Sequence, residues 1–419
     1  MHVTHLAPHL GGGVGKAHAA LAEARREQGT GEQHRFVLLE APQDARFADR
    51  LRAAGADVIV QPEPDELRGL VAAADILQVE WWSHPRLYEC LARADLPPHR
   101  LVLWTHGSGL APPLIPAALP ELADGTAFTS ACSLQAPNLQ RLIGARPQDF
   151  VVANSGFGFD MMPRHPRPAG SPLRFGLLGT LDFAKLHPRF FDAVDDAGSD
   201  IRVRLFGHCD PGGEVAAAAA AMRHPARVMF EGHTDDPAAV LAELDVFVHL
   251  LAPGHYGTGE NALVEAMSLG LCPLVIDNPA ERAIVTHRET GIVATSIAEA
   301  AGWLDWMAGH PGAVASLGAE AARRVAEAHR PAASVSVFED IQARAMASPK
   351  RLRDYAGALG ETPVAWFEAS LGEVSITATG DGAPTGNALF AATPAKGSLA
   401  HFRRCFPDDA ALLALARGG

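Results

Sequence analysis

The sequence predicts an α/β protein of two domains, each built on a parallel sheet. Three observations carry this. Short β-branched runs alternate with amphipathic helical stretches along most of the chain; glycine-rich segments follow strands and open helices at 11–16 and 254–259; a Pro- and Arg-rich stretch without apolar periodicity, 161–171, separates two such series. A chain of 419 residues is long enough for two domains with full cores and an extension beyond them.

The first series opens with a strand at 2–6, which runs into GGGVGK (11–16) and an Ala-rich helix over 17–28. A glycine loop between strand and helix presents free backbone N–H groups and the positive end of a helix dipole, which suits an anion. It is not a Walker loop, because Leu10 stands five before Gly15 and Ala17 occupies the place of the Mg²⁺-binding hydroxyl. Strands at 35–40, 57–61 and 76–80 alternate with helices at 45–54 and 64–74, and a strand at 101–106 ends in HGSG. Ligand groups of open α/β sheets gather at the carboxyl ends of strands, which makes His106 a candidate site residue. Trp81 and Trp82 follow the strand at 76–80, either as a stacking platform for a sugar or as two core tryptophans.

The second series begins with a strand at 173–178 followed by GTLDFAK (179–185). Strands at 203–207 and 227–232 close on glycine, with an Ala-rich helix over 214–222 between them. The stretch 245–277 then reads strand, glycine loop, helix over 261–269, strand, and places Asn261 and Glu265 on one helical face at i, i+4. Helices at 297–310, 319–329 and 332–346 follow. The tail 348–419 holds an alternating strand at 373–379 and a final Ala/Leu helix.

Composition narrows the function. A formal charge of −13 argues against a nucleic-acid backbone as partner and against a basic membrane-binding face. No apolar run approaches the ~20 residues of a spanning helix, and the N-terminus has no basic n-region of a signal peptide. Five scattered cysteines without a C-x-x-C pair read as reduced thiols of a cytoplasmic protein. There is neither H-E-x-x-H nor D-x-D, so neither a metal site nor a cofactor is expected.

The segment EAMSLG (265–270) resembles the donor-binding signature of the retaining glycosyltransferases of family four, the glycosyl transferases group 1. In that family two glutamates precede such a tail, the second on the nucleotide ribose and the first on the donor sugar. Glu265 matches the second; Gly257 stands at the first, with Glu260 the nearest carboxylate. GTLDFAK is similar to the family's G-R-L-x-x-x-K, with Lys185 in place and Thr180 at the arginine, and GGGVGK resembles its first loop. Lysine is scarce here, four against 31 arginines, and two of the four, Lys16 and Lys185, sit in these two loops.

The resemblance runs discontinuously over about 2–346 and implies a GT-B fold: an acceptor domain over 1–165 and a donor domain over 171–330, facing a cleft, a crossover helix at 331–347 and an extension at 348–419. It implies transfer of a sugar from a nucleoside diphosphate sugar to an acceptor, with retention and without a metal. Lys185, His106 and Glu260 would be the catalytic groups. Gly12, Gly13, Thr180, Gly257, Thr258, Gly259, Glu260, Asn261, Ala262 and Glu265, with Lys185, would hold the donor. The acceptor stays open among glycans, lipid-linked sugars, small molecules and proteins, and the tail is free to cover the cleft, frame the acceptor or form a homo-oligomer or partner-protein contact. A degenerate binding subunit and a GT-B epimerase or phosphorylase are the alternative functions.

Overall fold

In the computed structural model, residues 1–157, 170–258, 261–372 and 396–418 are described. The chain divides into two units, Met1–Gly158 with Pro331–Gly419, and Phe159–Arg330. Each is organised on one sheet.

The first unit holds β1 (His2–Ala7), β2 (Gln33–Leu38), β3 (Asp57–Val60), β4 (Ile76–Trp81), β5 (Leu101–Thr105), β6 (Gly125–Phe128) and β7 (Phe150–Val152) in the order β3-β2-β1-β4-β5-β6-β7, all parallel. β1 and β4 are the central neighbours, and every residue of β4 is buried. Such double-sided burial is the condition under which parallel strands read as continuous apolar runs. Against this background two polar residues of β4, Gln78 and Glu80, are exceptional. Separated by two, they point to the same face.

The helix Gly12–Gln28 packs its Ala17, Ala20 and Leu21 on the sheet, and the helix Pro331–Met346 adds Val335, Phe338, Ile341 and Ala345 to the same apolar cluster. On another cluster of this unit Tyr355, Trp366, Phe367, Leu399, Phe402 and Leu412 pack with Leu87, Tyr88 and Leu91. The C-terminal extension therefore supplies core to the first unit. It is carried by the helices Tyr355–Leu359, Pro363–Leu371, Leu399–Cys405 and Ala410–Gly418. Pro at the first turn, as at Pro363, has its φ preset for a helix, and Thr362 and Ser398 cap the starts by accepting from Ala365 N and His401 N. The strand expected at 373–379 lies outside the described residues.

The second unit holds β8 (Phe175–Leu178), β9 (Val203–Phe206), β10 (Val228–Gly232), β11 (Val246–His249), β12 (Cys272–Ile276) and β13 (Ile292–Ala294) in the order β10-β9-β8-β11-β12-β13, again all parallel. β11 starts after Asp245 and ends at His249, and both ends have a cause. The Asp245 carboxylate takes the Arg174 guanidinium through two oxygens at 2.9 and 3.1 Å, and Leu251 leaves the sheet to pair antiparallel with Leu186.

Candidate functional site

In the second unit the predicted site residues cluster at the carboxyl ends of the strands. β8, β9 and β10 each end in or next to a glycine, Gly179, Gly207 and Gly232. Gly179 N donates to Phe206 O at 3.0 Å and Gly207 N to Gly232 O at 2.8 Å. A Cβ on Gly207 would lie 2.1 Å from the Gly179 carbonyl oxygen, so the close passage of these turns demands glycine.

Thr180, next in the chain, is exposed, and Lys185 is half-buried at the end of a turn where its N–H donates to Asp182 Oδ1. Three backbone contacts lace the Lys185 segment to the loop after β11: Ala252 N to Lys185 O at 2.8 Å, His187 N to Leu250 O at 3.0 Å, and the Leu186–Leu251 bridge. Lys185 thus sits beside the segment that leads into the Gly257 loop.

That loop has its own anchor. Gly257 N donates to His255 Nδ1 at 3.0 Å, and His255 Nε2 donates to Glu281 at 2.9 Å. Both side chains are buried, so the pair fixes the loop from below. Thr258 is buried, Asn261 and Ala262 stand half-exposed on the first turn of the helix Asn261–Ser268, and Glu265 is buried one turn deeper. Gly259 and Glu260 lie outside the described residues. The role of His255 and Glu281 was not read from the sequence; the two are 26 residues apart and belong to no spacing pattern.

In the first unit Gly12 takes φ +61° at the head of its helix, Gly13 is half-exposed, and Gly11 N donates to His9 Nδ1. Gly15 is the tightest of this run: a Cβ there would meet the Leu10 carbonyl oxygen at 2.0 Å. His106 follows β5 directly and is almost fully buried, its Nε2 3.0 Å from Glu80 Oε2. Glu80, not singled out from sequence, is the hub of this region. Its Oε1 lies 3.0 Å from His5 Nδ1 and accepts from Gln78 Nε2 at 3.0 Å, and Gln342 Nε2 in turn donates to Gln78 Oε1 at 3.0 Å. His18 Nε2 is also 3.0 Å from Oε2. Burial alone would raise the Glu80 carboxyl, but the neighbouring His18, His106 and His5 outweigh it and hold it well below the usual carboxylate range. Burial lowers His106, partly opposed by its bond to Glu80. The only sequence signal of the hub was the polar pair in the apolar run ILQVEW.

Trp81 and Trp82 are both buried, at 1 % and 4 % exposure, which favours the core reading of the pair. Trp82 still borders the site: its ring contacts those of His9 and His106, and Lys396 Nζ of the extension stands 5.7 Å from it.

Residues 173–305 match the family described as Glycosyl transferases group 1. This span covers both the Lys185 turn and the helix with Glu265. Among solved structures, HepE of Anabaena in complex with UDP is 18% identical, with 81% of this chain and 99% of that one covered at a TM-score of 0.63. The lipopolysaccharide outer core galactosyltransferase WaaB in its apo form is 14% identical, with 81% and 99% covered at 0.61. The sucrose-phosphate synthase of Thermosynechococcus elongatus is 15% identical, with 83% and 100% covered at 0.59.

The chain has a GT-B fold.

No curated protein sequence matches it. In GT-B terms the first unit, with its strand order 3-2-1-4-5-6-7, is the N-terminal sheet domain, and the second contains the matched glycosyltransferase segment. Among the described residues no helix is long and apolar enough to cross a membrane.

Proposed function

We propose that this GT-B protein is a glycosyltransferase that moves a sugar from a nucleoside diphosphate sugar, a UDP-sugar in the first instance, to an acceptor with retention at the anomeric carbon. The observation that carries the proposal is the family match over 173–305, which contains the Lys185 turn, the segment 250–252 that backbone contacts hold beside it, and the helix Asn261–Ser268 with Glu265. UDP is proposed as the nucleotide because HepE is solved with UDP and with UDP-glucose.

In this reading the Lys185 ammonium and the free N–H groups at the start of the helix Asn261–Ser268 neutralise the diphosphate as it leaves. A compact ammonium suits that role, since charge accumulates on the leaving oxygens as the glycosidic bond breaks. Glu265, one turn deeper, accepts from the ribose hydroxyls. His106 orients the donor sugar. With its Nε2 proton on Glu80, its Nδ1 is left to accept a hydroxyl. Positioning and fixed charges supply the rate, and the transfer needs no metal on the diphosphate because no carboxylate clamp is encoded. Lys185→Ala then lowers kcat more than it raises KM, and Glu265→Ala weakens UDP binding. Unchanged turnover of UDP-glucose in both variants would refute the site assignment.

A further inference from the structure

We infer that His5, His18 and Glu80 form a buried binding site for one divalent transition-metal ion, with zinc the best match, which pins the glycine loop of the first unit. The inference is independent of the transfer reading. Their side chains come from β1, the helix Gly12–Gln28 and β4, and all three are 0% exposed. One ligand atom of each lies within 4.8 Å of the others. Two imidazoles and a carboxylate are a donor set that first-row divalent ions accept.

The distances suit a shared ion. Ligand atoms about 2.1 Å from one ion stand roughly 3.0–3.4 Å apart at angles of about 90–109°. His5 Nδ1 and His18 Nε2 are each 3.0 Å from a Glu80 oxygen. The same separations would serve hydrogen bonds, so the deciding observation is His18. Neither of its ring nitrogens makes a hydrogen bond, although Nε2 stands 3.0 Å from Oε2: the carboxylate is off the line of an N–H donor. A fully buried imidazole whose nitrogens make no hydrogen bond, close beside a carboxylate, is left with polar atoms that an ion shared with that carboxylate would satisfy.

The surroundings supply what ligands of a metal need. His5 is oriented through Nε2 by His34 Nδ1 at 2.9 Å, and Glu80 by Gln78 and His106 at 3.0 Å each. A buried carboxylate also requires a balancing positive charge, which the ion provides. The contrast with the neighbouring cluster of His9, Glu40 and His84 is informative. There Nδ1 of His9 accepts from Gly11 N and Nδ1 of His84 from Arg86 N, so each neutral ring carries its proton on Nε2 and has no lone pair left for an ion. That cluster carries no metal.

The test is elemental analysis of the full-length, tag-free protein after exposure to zinc and gel filtration, with the cobalt-substituted protein examined for visible d–d bands. The expected result is about one equivalent of zinc per chain, a melting temperature lowered by several degrees on prolonged chelation and restored by zinc, and cobalt bands of a site with nitrogen and oxygen ligands. His18→Gln should lose the ion, while His224→Gln, at an exposed histidine, should keep it. Less than a tenth of an equivalent in the wild type, or zinc retained undiminished in His18→Gln, would overturn the inference. Should His18→Gln fail to fold, the wild-type stoichiometry and cobalt spectrum decide alone.

Discussion

Gly15→Ala is the sharpest test of how the N-terminal glycine loop is built. A methyl group there would lie 2.0 Å from the Leu10 carbonyl oxygen, 2.8 Å from its carbon and 2.8 Å from Phe47 Cδ2. The first two obstacles are backbone, which no rotamer change can clear, so the loop and helix must separate. Overpacking of this kind costs about 3 kcal/mol at the upper end of the usual range, and the gain in helix propensity from Gly to Ala returns about 1 kcal/mol. The net loss is then about 2 kcal/mol, or roughly 4–8 °C in Tm for a unit of this size. Gly12→Ala meets nothing within 4 Å but must hold φ +61°, which costs about 1–2 kcal/mol. Gly31→Ala also meets nothing and has no such backbone constraint, which makes it the control. Thermal melts followed by circular dichroism, with urea midpoints as a second readout, separate the three. A Gly15→Ala protein that melts with the Gly31→Ala control would refute the close approach of Leu10 to the helix.

Three further outcomes follow from buried groups. Burial holds His99 and His401 down at about 4 from a usual 6.5, so between those values the unfolded chain binds more protons than the folded one. Stability should therefore fall as pH drops from about 6.5 towards 4, by a few kcal/mol from the pair, and an unchanged urea midpoint between pH 7.5 and 5 would contradict this. Arg353, 1% exposed, pairs with Asp124, 4% exposed, which also accepts from Leu101 N. Arg353→Ala leaves that carboxylate with Leu101 N and the exposed Arg351, 3.3 Å away, and should cost at most about 3 kcal/mol, read as a shift in the denaturant midpoint. His255→Ala removes the prop under Gly257 and should weaken UDP binding by about tenfold in calorimetry, through loss of preorganisation alone; wild-type affinity would show that Gly257 is held by other contacts.

The fold was largely legible because its signals are local. Alternating strands and helices, glycine after β8, β9 and β10, and the change of composition at 161–171 all declare themselves within short windows. The helices of the extension were less visible, since Tyr355–Leu359 and Leu399–Cys405 are too short for a helical period to show, and they are held by packing on Leu87, Tyr88 and Leu91. Of the candidate site, Lys185, Glu265 and the glycines are proposed from motifs in the sequence. The buried groups packed near them carry no such signal. Glu80 receives His5, His18 and His106 from three separate elements, and His255 meets Glu281 across 26 residues. Such pairings exist only once the sheets are assembled, and no spacing in the chain encodes them.

The central claim is that the Lys185 turn and the Glu265 helix bind a nucleoside diphosphate sugar. Its most direct test is titration calorimetry of the purified protein with UDP-glucose and, separately, GDP-glucose, in wild type and Glu265→Ala. Saturable one-to-one binding of UDP-glucose, weakened at least tenfold in Glu265→Ala, is the predicted result. Absence of binding by the wild type to either nucleotide sugar, in a protein that melts cooperatively, would contradict the claim and turn attention to the substitutions at Gly257 and Thr180 as marks of a fold that has lost its donor.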